Sequence, residues 1–393
     1  MHLIFSRIKP FAAKSAALVL AFALFAFGHG GAMQALRACP DKVWAADRAE
    51  LYRKLGFSGA WAAEASASSD ETLPPQAGFR LFGLITAKKV GTVIEERRSV
   101  FPGGEAVGIS IRTRGVLIVG FGSDSGNSPA YRAGLRPGDV VISVNGADVD
   151  SAEQITALMS SASSRVTALR GGKTMEFTVE RGEDGSALGA WVRDSTVGVG
   201  TLSFYNEEYC AALGHSVTDA DTGRLLQAKT GALVYAKVLG VVRGSRGAPG
   251  EIQGTFGASS PEVGRVFANT ELGVFASVTG ELPQKSAMPV AFPDEVHEGE
   301  AVLLSSADGA LREYSCRIVK AVRQSSPAAK GLVIEVTDER LICLTGGIVQ
   351  GMSGSPVIQD GRLAGVVTHV FVNDPKKGYG AYAYWILKAM EGS

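Results

Sequence analysis

Hydrophobic positions along this chain fall into runs of different kinds, and each kind predicts a different element. The first is an unbroken apolar run at 16–27 (AALVLAFALFAF), preceded by the basic residues Arg7, Lys9 and Lys14. It is short for a membrane span and suits an export signal, with Gly30 and Ala32 as small residues for cleavage. An uncleaved anchor is the alternative. Residues 47–55 predict a short helix. Residues 58–78 (SGAWAAEASASSDETLPPQAG) are small, acidic and broken by Pro74-Pro75, which predicts an exposed linker open to proteolytic nicking. From Phe79 the pattern turns strand-like, in RLFGLITA and VGTVIEE. From Gly189 to the end, short strand-like runs alternate with glycine.

Between these stretches lies a more specific pattern, SPAYRAGLRPGDVVISVNG at 128–146. It predicts a short helix that carries Ala130 and Ala133 inward and ends at Gly134, then a turn at Pro137-Gly138-Asp139. Val140, Ile142 and Val144 then alternate as a strand into the turn Asn145-Gly146. Residues 151–161 predict a second helix with Ile155, Leu158 and Met159 on one side, and 173–181 a closing strand. The run resembles the central signature of PDZ domains. That resemblance implies a bound peptide added as a strand, its terminal carboxylate received by loop N–H groups. On it, Val107, Gly108, Ile109 and Ser110 fall at the carboxylate-binding loop and the groove strand. A PDZ unit that only braces its neighbour is the other reading.

Composition narrows the function. The 46% hydrophobic and 20% charged residues are those of a folded chain, and 49 glycines favour β architecture with many turns. Lys and Arg total 39, as do Asp and Glu, so there is no basic excess for nucleic acid and the expected partner is protein. The four cysteines (Cys39, Cys210, Cys316, Cys343) lack metal-ligand spacing, and no phosphate loop is present, so neither a metal nor a cofactor is expected.

Two motifs carry chemistry. Gly351-Met352-Ser353-Gly354-Ser355-Pro356 precedes an apolar strand and the hairpin turn Asp360-Gly361. A serine framed by glycines projects its hydroxyl from a tight loop, and the N–H groups of Gly351 and Ser353 can converge on an oxyanion. Ser355 is the rival nucleophile. His215 in LGHSVTD lies upstream, placed to act as general base and then general acid. Asp338 in VTDERL is the candidate to orient the imidazole, with Asp219 as runner-up. His369, on the strand after the hairpin, is read as either a substrate-pocket wall or a packed structural residue.

The nucleophile loop resembles that of chymotrypsin-like serine proteases. Together with RDSTVGVGT, GHSVTD, VTDERL, GGIVQGMSGSPVI and THVFVNDP, it resembles the stage IV sporulation protein B peptidase family from about residue 80 to the C-terminus. The resemblance implies that His215, Asp338 and Ser353 occupy the catalytic positions. The expected fold is mainly β, a PDZ domain (α+β) followed by a chymotrypsin-like double β-barrel serine peptidase domain. The expected boundaries are 1–32 for a signal peptide or anchor, 33–78 for helix and linker, 79–105 for a strand-rich connector, 106–185 for the PDZ domain and 186–393 for the peptidase. The family also implies self-cleavage near the N-terminus, which suits the linker. It implies action between the membranes of a developing spore, on a regulator of a membrane-embedded metalloprotease. Membrane association would run through the N-terminal segment. An HtrA-like quality-control protease carries its PDZ domains after the protease, the reverse of the order here. A PDZ adaptor with an inert protease-like domain is the non-enzymatic alternative, and the presence of all three triad residue types argues against it.

Overall fold

The structure is a computed structural model that describes residues 40–393, apart from 57–60, 63–75, 82–84, 123–125, 127 and 183–186. The export run, most of the linker and Cys39 lie outside the described residues. The chain divides into two units between Arg97 and Arg98, inside the stretch expected as a connector. In the first unit, β1 (Lys42–Ala45), α1 (Arg48–Gly56), β2 (Trp61–Ala62), β3 (Gln76–Leu81) and β4 (Ile85–Ile94) form one sheet in the order β1-β4-β3-β2 beside the helix. Asp47 accepts from the Glu50 N–H at 2.7 Å and Glu50 accepts from the Ala46 N–H at 2.7 Å, so α1 starts on a side-chain cap close to the expected position.

The second unit opens with β5 (Ser99–Pro102) and the long β6 (Ala106–Phe121). Then come α2 (Pro129–Arg132), β7 (Val140–Val144), β8 (Ala147–Asp148), α3 (Ala152–Leu158), β9 (Ser163–Arg170) and β10 (Lys173–Glu180). A second long strand, β11 (Ala190–Tyr205), is followed by β12 (Tyr209–Ala212), β13 (Ala228–Tyr235), β14 (Lys237–Val242), β15 (Glu251–Thr255), β16 (Glu262–Thr270), β17 (Gly273–Val278) and β18 (Met288–Pro289). The chain ends with β19 (Gly299–Ser305), β20 (Arg312–Ala321), β21 (Leu332–Val336), α4 (Glu339–Thr345), β22 (Pro356–Gln359), β23 (Arg362–Val370), β24 (Lys377–Tyr382) and α5 (Ala383–Glu391).

Two six-stranded barrels result. Strands β6-β13-β16-β17-β12-β11 close the first through the β6–β11 pairing, and β19-β20-β21-β24-β23-β22 close the second. The fold is mainly β, as the composition predicts.

Strands β6 and β11 each serve two cores. Val107, Ile109 and Ile111 face the first barrel with Leu202, Leu233 and Val266. Beyond Gly115, Val116 and Ile118 face a different cluster with Ala130, Leu135, Val144, Ile155 and Val166. The change of face needs a break in the ladder, and the register between β6 and β11 shifts between Arg193 and Ser195. Gly115 sits at that break with φ +78, and a Cβ there would lie 2.7 Å from the Val141 carbonyl oxygen.

This geometry corrects the expected PDZ site. Val107, Gly108, Ile109 and Ser110 belong to the barrel, where β6 is paired on one edge with β11 and on the other with β13. Ser110 lies opposite both Val197 and Ala232, so no peptide can add a strand there. The PDZ core starts instead at Val116 and extends past 185 to Leu188, with Ala190 and Val192 of β11 packed against it. The inward set on β7 also differs. Val141 and Val144 are buried, because the pairing with β9 slips by one residue between Val141 and Ser143. The α3 helix is shorter than the expected 151–161: it starts on a capping box of Ser151 and Gln154, buries Ile155 and ends at the buried cap residue Met159, with Leu158 only partly buried.

Candidate active site

The nucleophile loop belongs to the second barrel. Helix α4 ends on Gly346 in the left-handed conformation, and the chain then bends through Gly347, at φ +135, to Ile348, whose N–H donates to the Pro375 carbonyl at 2.7 Å. Gln350 is held like a strand residue. Its N–H donates to Gly250 and its carbonyl accepts from Ile252, both at 2.8 Å. Two tight turns follow, Met352 N–H to Val349 O at 3.1 Å and Ser355 N–H to Met352 O at 3.0 Å.

These bonds set the oxyanion donors. In a trans peptide the N–H points opposite to the preceding carbonyl. Fixing the carbonyls of Gln350 and Met352 therefore fixes the N–H groups of Gly351 and Ser353. Among the described residues, neither of those N–H groups has an acceptor. A pair of fixed, unspent donors beside a serine hydroxyl is what an acyl-transfer transition state requires.

The candidate base, His215, comes from the first barrel. After β12 the chain makes a tight turn in which the Gly214 N–H donates to the Ala212 carbonyl at 3.0 Å, with Leu213 at φ +72. That turn is strained for a non-glycine residue and delivers His215 to the cleft. The side chain of Asn269 clamps the far side of the loop, bonding both the N–H and the carbonyl of Val217 at 2.9 and 2.8 Å. His215 Nδ1 lies 2.8 Å from the Ser216 carbonyl oxygen. A carbonyl only accepts, so Nδ1 carries the proton and Nε2 presents its lone pair.

Ser353, His215, Gly351 and His369 line one cleft of about 550 Å³. The imidazoles of His215 and His369 are 4.7 Å apart. None of the described lining residues is Asp, Glu, Lys or Arg. Burial pushes the His215 pKa below its ordinary value, against a smaller upward pull from Ser216. His369 is lowered to about 4 by partial burial, then by the neighbouring His215 and by Lys330. Both rings are therefore neutral at neutral pH, the state a general base needs. The Ser353 hydroxyl donates to the Thr368 carbonyl oxygen at 2.6 Å. Of the two candidate serines, Ser353 lines the cleft, whereas Ser355 is fully buried and does not.

The acidic candidates are placed elsewhere. Asp338 caps α4. It accepts from the Arg340 N–H at 2.9 Å, the Arg340 guanidinium at 2.7 and 3.0 Å and the Ser315 N–H at 3.2 Å. The Arg340 bond, with help from those N–H groups, holds its carboxyl far below the usual range. Asp219 is equally committed. It pairs with Arg193 and accepts from Asp221 and Thr222, closing the turn after the histidine loop. Neither carboxylate bonds His215; the Ser216 carbonyl occupies that position. A carboxylate so placed serves as a cap and an ion-pair partner, which is the physical reason the triad expected from sequence is not assembled here.

Two residues that shape the cleft were not singled out by sequence reasoning. Thr368 and Asn269 act through one carbonyl and one amide. No local spacing marks either of them.

Two barrels that meet at a cleft, with a serine from one and a histidine from the other, define a chymotrypsin-like serine peptidase. The chain belongs to the SpoIVB peptidase S55 family, whose match spans residues 184–387, and a PDZ domain matches at 126–170. Among solved structures it is similar to the Rv3671c protease from M. tuberculosis in its active form, at 19% identity over 50% of this chain and 74% of that one, with a TM-score of 0.31. It is also similar to the HtrA-type protease AlgW with decapeptide, at 12% identity over 51% of this chain and 54% of that chain, with a TM-score of 0.28. Human heparin binding protein is a third, at 13% identity over 50% of this chain and 84% of that one, with a TM-score of 0.26. No curated protein matches the sequence.

Proposed function

We propose that this serine peptidase is an exported endopeptidase of sporulation signalling that cuts itself and a membrane-associated regulator of a membrane-embedded metalloprotease. The observation that carries the catalytic part is the unspent N–H pair of Gly351 and Ser353 beside the Ser353 hydroxyl and the neutral His215. In the reaction, Ser353 Oγ gives its proton to His215 Nε2 and attacks the scissile carbonyl carbon. The developing oxyanion is held by the two N–H groups. His215 returns the proton to the leaving amine, and water then resolves the acyl-enzyme by the same route. Ser216 holds the ring and accepts Nδ1–H, the part a carboxylate plays in other enzymes of this type.

The uncharged cleft suits extended peptides with apolar side chains, since a buried charge there would have no partner. Family membership and the apolar run at 16–27 support export and action in the space between the forespore and mother-cell membranes. The PDZ unit would bind peptide along the first residues of β11, beside α3. There β6 pairs with one edge of Ala190–Arg193, and the Asp194 carboxylate accepts from the α3 residue Ala152 at 3.1 Å.

The test is incubation of the purified full chain alone, with N-terminal sequencing of the products. The expected result is a new N-terminus within 58–78 that forms in wild type and not in Ser353→Ala. A wild-type chain that stays intact over days, or a Ser353→Ala chain that shortens at the same rate, overturns self-cleavage.

A further inference from the structure

His215 and Ser353 come from different barrels, and a single buried residue of β11 bonds both of their loops. Thr201 is 2% exposed. Its N–H donates to the Ser353 carbonyl at 3.0 Å, its hydroxyl donates to the Gly351 carbonyl at 2.7 Å, and its own carbonyl accepts from the Leu213 N–H at 3.3 Å. Leu213 is the strained residue of the turn that delivers His215. The seam leaves no spare room. A Cβ on Gly354 would lie 2.2 Å from the Thr201 carbonyl oxygen and 2.7 Å from the Leu213 nitrogen.

We propose that Thr201 is a positioning residue of the peptidase reaction, with its hydroxyl holding the oxyanion loop in the conformation that aims the Gly351 and Ser353 N–H groups at one point. The inference rests on the reading of Ser353 as nucleophile. Gly351 has φ +94, so nothing on its own side chain resists rotation of the peptide planes around it. Of the two planes, the one before Gly351 is held by Ile252; the one after it is held at its N–H by the Met352–Val349 turn and at its carbonyl by Thr201 Oγ1. Without that hydroxyl the part-buried Gly351 carbonyl loses its protein donor, and the plane is free to tilt about the remaining Met352–Val349 bond. The neighbouring N–H groups turn with it. Thr201 touches no reacting atom and acts only through Gly351 and Ser353.

The probe is an alkyl fluorophosphonate applied over a concentration series to wild type, Thr201→Ser, Thr201→Val and Ser353→Ala, with thermal melts run in parallel. Valine matches threonine in shape and lacks only the donor. The expected result is a folded Thr201→Val whose maximal inactivation rate falls by about ten- to a hundredfold, while the half-saturating concentration is unchanged. Thr201→Ser restores the rate to within about threefold of wild type. A role in stability alone would shift the melt and leave the maximal rate of the folded protein untouched. A Thr201→Val protein that reacts as fast as wild type, or a folded Thr201→Ser as slow as Thr201→Val, overturns the proposal. Should valine prevent folding, Thr201→Ala takes its place with the same two outcomes. Absence of label on wild type strikes the nucleophile assignment instead, which keeps the two failures apart.

Discussion

The Ser353 hydroxyl donates to the Thr368 carbonyl oxygen, at 2.6 Å, although His215 lines the same cleft. The Ser353 hydroxyl is therefore turned to β23, and in the proposed mechanism its proton must move to His215 Nε2 as it attacks. A substrate strand laid along β23 offers a backbone N–H to Thr368 and takes over that bond. The prediction is that a peptide substrate N-methylated at the residue contributing the scissile carbonyl turns over roughly fivefold slower, since the bond it loses is worth about 1 kcal/mol. Equal turnover of the methylated and unmethylated peptides, measured by product chromatography, would show that Thr368 is not released in this way.

Asp338 is predicted to act on stability. Asp338→Ala removes the cap of α4 and the partner of Arg340, and is expected to cost about 0.5–2 kcal/mol in chemical denaturation. The folded variant should keep its labelling rate at Ser353 within a few fold of wild type. A loss beyond a hundredfold in fully folded protein would put Asp338 back on the base.

The two cleft histidines give stability a pH dependence of known sign. Both have folded pKa values below the 6.5 of the unfolded chain, with His369 at about 4. The unfolded state then binds more protons, so stability falls as pH drops below 6.5 and, for His369, continues to fall to about 4. His369→Gln should flatten this part of the curve. The acid limb of labelling should lie below pH 6.5 because the His215 pKa is lowered. Melting temperatures at pH 7.5 and 4.5, with labelling rates across the same range, check both signs. An acid limb above pH 6.5 would mean that His215 is not the base.

Ile109 is predicted to behave as a core residue of the first barrel. Ile109→Ala should destabilise by about 2–5 kcal/mol, the usual cost of emptying a packed site. It should leave the affinity of the folded protein for a PDZ-bound peptide unchanged. Weakened peptide affinity with unchanged stability, measured by fluorescence anisotropy and denaturation, would restore Ile109 to the groove.

Much of this was legible in the sequence, because the chemistry sits in contiguous motifs. The frame around Ser353 needs glycine at 351 and 354 for backbone reasons, and His215 sits just after a strand end, so both could be placed without coordinates. The PDZ signature at 128–146 was equally local. What could not be read was the path of β6. The alternation through Val107, Ile109 and Ile111 suits a groove strand and a barrel strand alike, and only the partners on its two edges tell them apart. The acid was hidden for a related reason. An Asp before a helix reads the same whether it caps the helix or faces an imidazole, and in the structure Asp338 is paired with Arg340 two residues on. Thr201, Thr368 and Asn269 act through backbone bonds across long sequence separations, which no spacing rule records.

The proposed reaction depends on Ser353 as the nucleophile and His215 as its base. The most direct measurement is labelling of the full chain with a fluorophosphonate, followed by peptide mass spectrometry to locate the adduct. The account predicts a single adduct on Ser353 in wild type, none in Ser353→Ala, and a rate reduced by at least about a thousandfold in folded His215→Ala. An adduct on another serine, or undiminished labelling of His215→Ala, would contradict it.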